Sequence, residues 1–437
     1  MERLHHQLGL REAVARIREG RLTASELTRA CLTRCSRLEP RVLAWEHLAA
    51  ERAMERAEAL DALRGKSAGP LHGIPLGIKD IVDVAGMPTT MGSPVYAGRI
   101  ARDSARVAQR LEQAGAVVLG KTVTTEFAYY TPGKTRNPWD PAHTPGGSSS
   151  GSAAAVAAGM VPGALGSQTN GSVIRPAAFC GVVGFKPSHG AIPTEGVLAF
   201  AETLDTIGVF GRSVADAACT AAVCVESGHA IDADVKAPGG PPRLAAVRSP
   251  VWGAAEAAQQ EMFVRNITAL RQAGARVEEV ELPPAFKQAH AVQRAIMAGE
   301  AARNLGTLQR WHRDQLSARL NAFLDEGAGI NDARRRESLD SRTHLQREYS
   351  QFLLGFDAVI TPPATGEAPA TLEVTGDPTF CTIWTLLGVP AVSIPVGLGP
   401  RGLPLGLQVV GAFEKDDALL SVAAWCERVF PFAGLIV

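Results

Sequence analysis

Thr144-Pro-Gly-Gly-Ser-Ser-Ser-Gly-Ser-Ala-Ala-Ala-Val156 is a Gly/Ser-rich loop that runs straight into an Ala-rich apolar segment of helical character. A helix that starts this way offers unpaired backbone N–H groups and a cluster of hydroxyls at its N-terminus. Flexible linkers share the composition, but a linker is rarely welded to an apolar helix. A second turn of the same kind follows, Gly166-Ser-Gln-Thr-Asn-Gly-Ser172, and then Val173-Ile-Arg-Pro176. Two such turns can present their hydroxyls to one cleft.

Upstream, residues 1–66 read as helices. Thr23-Ala24-Ser25-Glu26 is a capping box, and Leu27, Ala30, Cys31 and Leu38 follow at helical spacing. Residues 71–84 change to short apolar runs broken by Gly and Pro, which suggests strands. Asp103 or Ser104 would cap a helix ended by Gly115, followed by a buried strand over Ala116-Val-Val-Leu119. The same phrase recurs where Leu270-Arg-Gln-Ala-Gly-Ala275 precedes Arg276-Val-Glu-Glu-Val280. Val235–Pro242 is the best linker candidate, and a mostly helical stretch, about 243–354, comes after it. Strand-like runs return at Ala358–Ile360, Ala391–Pro395 and Leu405–Val410. Helices and strands intermix throughout, so the class is α/β. The return to strands at the end favours one domain over 1–437, with a helical layer 1–66, a core 71–225, the helical excursion and C-terminal strands 355–437.

With 44 basic and 44 acidic residues the formal charge is zero, so nothing recruits nucleic acid or an anionic membrane. Arg334-Arg335-Arg336 stands among Asp332, Glu337 and Asp340 and reads as a solvated helix face. Seven cysteines without a C-x-x-C pair read as buried free thiols in a reducing compartment. The charged N-terminus is no signal peptide, and the most apolar stretch, Ser152–Leu165, is too short to span a bilayer. A cytoplasmic protein without metal or organic cofactor is expected.

Two motifs point elsewhere and fail on context. Gly115–Thr122 matches the phosphate-loop pattern G-x-x-x-x-G-K-T, but a helical pattern precedes it and its interior, Ala-Val-Val-Leu, prefers a strand. Gly147–Gly151 satisfies G-x-S-x-G around Ser149, but the loop-like Asn137-Pro-Trp-Asp-Pro141 stands where a strand is needed. His189, His290, His312 and His344 are histidine candidates for such an elbow, none in a recognisable motif.

With Lys79 in Gly77-Ile-Lys-Asp80, the run Gly146–Ser152, and Gly171-Ser172, the chain resembles the amidase signature family. Ser148 and Ser172 stand twenty-four positions apart, the spacing of that family. Cys180–Pro187, Leu204–Gly208 and Gly402–Val409 agree as flanks. The likeness is strong from about Leu71 to Arg212 and weak from about Gly228 to Leu354. Ser172-Val-Ile-Arg-Pro176 and Thr375-Gly-Asp-Pro378 make the malonamidase type the most similar. The resemblance implies a central mixed twisted β-sheet covered by helices on both faces, and cleavage of a C–N amide bond. It implies that Ser172 attacks the carbonyl, Ser148 relays its proton and a neutral Lys79 is the terminal base. It implies a cis Gly147–Ser148 peptide, and an oxyanion hole of the Thr169, Asn170, Gly171 and Ser172 amides. It gives Ser149 a supporting hydrogen bond to Ser148.

The chain departs from the common Asp-Thr-Gly-Gly-Ser pattern, reading Gln168-Thr-Asn-Gly-Ser172. A neutral amide replaces a carboxylate beside the oxyanion hole, so Gln168, Ser149 and Arg175 are the candidate substrate contacts. Arg175, three residues after Ser172, either clamps a substrate carboxylate bidentately or makes a structural ion pair with Asp205. The reading that follows is a small-amide hydrolase, its substrate carboxylated if Arg175 is the clamp. The alternatives are one component of an amidotransferase, hydrolysing glutamine for a partner enzyme, and a carbamate or urea C–N hydrolase. A homodimer is in keeping with the family.

Overall fold

The computed structural model describes residues 4–63, 69–226, 228–432 and 434. Eleven strands join one mixed sheet. They are β1 Trp45–Leu48, β2 Pro75–Lys79, β3 Val117–Thr122, β4 Gly163–Gln168, β5 Val183–Lys186 and β6 Thr206–Gly211. β7 Arg243–Val247, β8 Arg276–Val280, β9 Ala358–Thr361, β10 Ala391–Leu398 and β11 Pro404–Val410 complete them. The spatial order is β1-β3-β2-β4-β6-β5-β10-β11-β9-β7-β8. β2 runs parallel to β3 and β4, and β7 parallel to β8 and β9, while the other pairings are antiparallel.

Every residue of β2, β3, β4, β5, β6, β9 and β11 is buried. Successive side chains leave a strand on opposite faces, so both faces of the sheet are covered. The helices are α1 Leu10–Arg18, α2 Ala24–Val42, α3 Ala50–Ala62, α4 Arg106–Gln113, α5 Ser150–Ala157, α6 Ile174–Cys180 and α7 Val214–Cys224. Then come α8 Ala257–Gln272, α9 Ala289–His312, α10 Ala318–Ala328, α11 Asp332–Phe352, α12 Thr379–Leu387 and α13 Asp416–Val429. None of the described helices is long and apolar enough to cross a membrane.

The Thr23–Glu26 capping box opens α2, both of its reciprocal bonds formed. Gly115, at φ +88°, turns the chain from α4 into β3. Asp103 and Ser104 do not cap α4, which starts at Arg106 after Ala105. The Ser104 hydroxyl accepts from the Ala85 amide instead. Of residues 71–84 only 75–79 are a strand. Trp45–Leu48 interrupts the helical layer, because its edges find β3 to pair with. Residues 64–66 at the end of that layer lie outside the described residues. Residues 243–354 are less helical than expected: β7 and β8 flank α8 and extend the same sheet. All seven cysteines are buried free thiols.

The phosphate-loop lookalike is the turn from α4 and the whole of β3. Lys121 lies in the sheet with its Nζ 3.0 Å from Asp80 Oδ1, both side chains fully buried. It also donates to Thr89 Oγ1 at 2.7 Å. Its charge is spent on the fold and leaves no phosphate cradle.

Candidate active site

β2 and β4 are parallel neighbours, so their C-terminal ends emerge at one edge of the sheet. Ligands of α/β sheets bind outside such ends. Lys79 closes β2, and Ser167 and Gln168 close β4. β6 runs antiparallel to β4 with Thr206 opposite Gln168, which brings Asp205 to the same edge. α5 then packs the Gly/Ser loop against this edge. A Cβ on Gly151 would meet the Ala44 oxygen at 2.2 Å and the Val123 amide at 2.4 Å, so only glycine lets the helix come so close. A Cβ on Gly166 would strike the Ser149 hydroxyl at 2.7 Å.

The Gly147–Ser148 peptide is cis. Lys79 Nζ donates to Ser148 Oγ at 2.7 Å and to Ser167 Oγ at 2.8 Å. Burial pulls the Lys79 ammonium down to about 7, against an upward pull from Asp205. Asp205, buried as well, is pushed up to about 6 by desolvation, and three bonds oppose that rise. It accepts from Thr169 Oγ1 at 2.5 Å and from the Phe200 and Ala201 amides at 2.8 and 2.9 Å.

Ser148 and Ser172 line one small pocket with Thr169, Asn170, Gly171 and Arg175, and Ala128, Tyr129, Tyr130, Phe200 and Met297 close it. The Thr169, Asn170, Gly171 and Ser172 amides have no acceptor among the described residues, which suits them to hold a developing oxyanion. α9 roofs the pocket with Met297, and Gln293 donates to the Thr169 carbonyl at 3.3 Å. Phe323 of α10 stacks on Tyr129 with ring centroids 4.5 Å apart.

Two of the three expected substrate contacts face elsewhere. Ser149 Oγ donates to the Ser167 carbonyl at 3.1 Å and accepts from the Ser167 amide, so it staples the loop to β4 and does not bond the Ser148 hydroxyl. Gln168 Oε1 accepts the Val173 and Ile174 amides at 2.8 and 3.0 Å. Its Nε2 donates to Thr385 Oγ1 at 2.9 Å. Gln168 thus satisfies the orphan donors that open α6. A neutral amide does this as well as a carboxylate and brings no charge beside Lys79.

Arg175 does line the pocket, and it makes no ion pair with Asp205. One Nη donates to the Gly147 carbonyl at 2.7 Å and to Thr375 Oγ1 at 3.0 Å. Its Nε and Nη1 are buried without a partner. Burial lowers its pKa, with Tyr130, Cys381 and Asp377 acting in the opposite sense.

Ser167, Asp205 and Tyr130 belong to the site and were not picked out as such from the sequence. Ser167 stood in the second Gly/Ser turn, one position before Gln168, but nothing local links it to Lys79. The histidines weighed for a serine-histidine elbow do not line the pocket. His290 and His189 share hydrogen bonds with the Thr379 and Glu202 carbonyls.

A buried lysine bonded to a serine, a second serine lining the same pocket and free amides beside it make an arrangement for acyl transfer. Known proteins match this chain over most of its length. The family model described as Amidase matches residues 26–420. The A-type component of the glutamyl-tRNA(Gln) amidotransferase of Chloroflexus aggregans is 35% identical, covering 97% of this chain and 96% of that protein. Its counterpart in Symbiobacterium thermophilum is 36% identical, with 94% of each chain covered. Among solved structures, an amidase superimposes with a TM-score of 0.87 at 32% identity, covering 97% of this chain and 100% of that one. The native peptide amidase of Stenotrophomonas maltophilia gives 0.82 at 29% identity, with 97% and 96% covered. The chain therefore belongs to the amidase family and is an amidohydrolase of carbon–nitrogen bonds.

Proposed function

We propose that this enzyme hydrolyses a short amide that bears a carboxylate, with Ser172 as nucleophile, Ser148 as proton relay and Lys79 as base. A lysine can serve only while neutral, and full burial brings its pKa to about 7. In the neutral amine the 2.7 Å bond to Ser148 reverses, the Nζ lone pair accepting the Ser148 proton while an Nζ–H still donates to Ser167, and Ser148 can then take the proton of Ser172. The oxyanion is received among the Thr169, Asn170, Gly171 and Ser172 amides, each donor worth about 10² to 10³ in rate. The C–N bond then breaks, the amine leaving with the proton returned from Lys79 through Ser148, and water, deprotonated by the same route, releases the acyl group from Ser172. The unpaired, buried thiols suit the reducing cytoplasm.

The observation that carries the substrate assignment is Arg175. A buried guanidinium without a carboxylate is costly. Arg175 lines the reaction pocket and two of its nitrogens are buried without a partner, so a substrate carboxylate bound beside it would supply the missing charge. The malonamidase likeness read from the sequence around Arg175 points the same way, whereas the relatives are A-type amidotransferase components.

A second reading is favoured by the names of the relatives: the glutamine-hydrolysing component of an amidotransferase. Glutamine also carries a carboxylate, so Arg175 is compatible with it. The experiment is ammonia release from malonamate, glutamine and propionamide, with Ser172→Ala as blank, together with a search for small chains that co-purify. Preference for malonamate by the isolated chain supports the first reading. Preference for glutamine, raised by a co-purifying partner, supports the second. Preference for propionamide retires the carboxylate.

A further inference from the structure

We propose that Tyr130 is the second donor of the carboxylate subsite, its phenol proton meeting the same substrate carboxylate as the Arg175 guanidinium; this rests on the carboxylate reading of Arg175 given above. The argument starts at Asn170. Its side-chain oxygen accepts from Thr382 Oγ1 at 2.8 Å, and its main-chain oxygen accepts from Thr385 Oγ1 at 2.5 Å. Held at both oxygens, the residue turns Nδ2 toward Tyr130 and donates to the phenol oxygen at 3.2 Å. That oxygen is thereby the acceptor, so the phenol proton points away from Asn170. No acceptor for it occurs among the described residues.

Tyr130 and Arg175 line the same pocket as Ser148 and Ser172. The Tyr130 ring is set by Tyr129, centroids 4.7 Å apart, and its carbonyl accepts from Arg319 Nη1 at 3.1 Å. The phenol is therefore held in place before substrate arrives. Burial pushes its pKa up, against the influence of Arg175, so it stays a neutral donor across the working range. A carboxylate has about four lone-pair sites. One unpartnered nitrogen of Arg175 takes one of them and the phenol takes another. A neutral amide in the same place would gain far less from these donors. The pair thus selects short acyl chains that end in an anion.

The test is calorimetric binding of malonate and of glutamate to the whole chain, to Tyr130→Phe, to Arg175→Gln and to the double variant. Phenylalanine keeps the ring and its stacking. The expected result is that Tyr130→Phe weakens binding of whichever anion the wild type takes by about tenfold or more, the worth of a hydrogen bond to a charged group. In the Arg175→Gln background the same change should cost much less, because the two donors act on one anion. Unchanged binding in Tyr130→Phe, with weakened binding in Arg175→Gln, overturns the role of Tyr130 and leaves the Arg175 reading standing. Binding of neither anion by wild type, or no loss in Arg175→Gln, overturns the carboxylate subsite and Tyr130 with it.

Discussion

Lys79 Nζ lies 2.7 Å from Ser148 Oγ in a fully buried site, with no carboxylate in ion-pair contact with it among the described residues. The absence of a partner matters as much as the short bond. An adjacent carboxylate would hold the ammonium charged and useless as a base. Desolvation with only serine hydroxyls hydrogen-bonded to it among the described residues does the reverse.

Activity should follow the neutral fraction of Lys79. That form accumulates above its pKa, so kcat/KM should rise through about pH 7 and level off at higher pH. Lys79→Met should lower kcat by about 10² to 10⁴. A profile flat from about pH 6 to about pH 9, with chemistry rate-limiting, would sink the lysine base.

Asp205 pulls the Lys79 pKa upward while it holds Thr169, Phe200 and Ala201. Asp205→Asn removes the charge and keeps much of the shape. The rising limb of the pH profile should then move below about 7, since the ammonium loses a stabilising neighbour. An unmoved limb would show that Asp205 acts through the loop alone.

Arg175→Ala should raise KM for a carboxylated amide by about 100-fold, the worth of two charge-assisted bonds. KM for a neutral amide should change far less. The Arg175 side chain also holds the Gly147 carbonyl and Thr375, so some loss of kcat on both is expected. Equal KM losses on both amides would count against the clamp.

Gln168→Ala leaves the buried Val173 and Ile174 amides without their acceptor. Denaturant unfolding should show a loss of about 1–3 kcal/mol. Steady-state kinetics should fall alike for acidic and neutral amides, because Gln168 shapes the start of α6 and does not touch substrate. A selective loss on one class would return it to the substrate contacts.

Lys121→Met should destabilise the fold by about 3–5 kcal/mol, because Asp80 is left buried and unpaired. ATP should not raise the melting temperature of the wild type. A nucleotide-dependent rise would reopen the phosphate-loop reading of Gly115–Thr122.

Much of this protein is written in short windows of its sequence. The capping box at Thr23, the helix-to-strand turn at Gly115, and the runs that became β9, β10 and β11 each follow from neighbours a few residues apart. Lys79, Ser148 and Ser172 were legible for the same reason: each sits in a motif whose glycines set the local backbone. What tertiary structure alone decided depends on pairings between distant segments. Trp45–Leu48 is a strand only because β3 lies beside it, and β7 and β8 extend the sheet only because β9 is there to receive them. The parallel seating of β2 on β4 made Ser167 a partner of Lys79, and the antiparallel β6 brought Asp205 next to Thr169. Gln168 became a helix cap, Arg175 kept two unpartnered nitrogens and Tyr130 came to line the same pocket because packing of the sheet, α6, α9 and α12 fixed their neighbours. Local sequence sets backbone conformation through short-range sterics and hydrogen bonds. The partner of a buried polar group is set by which strands and helices share an edge, and no local window contains that.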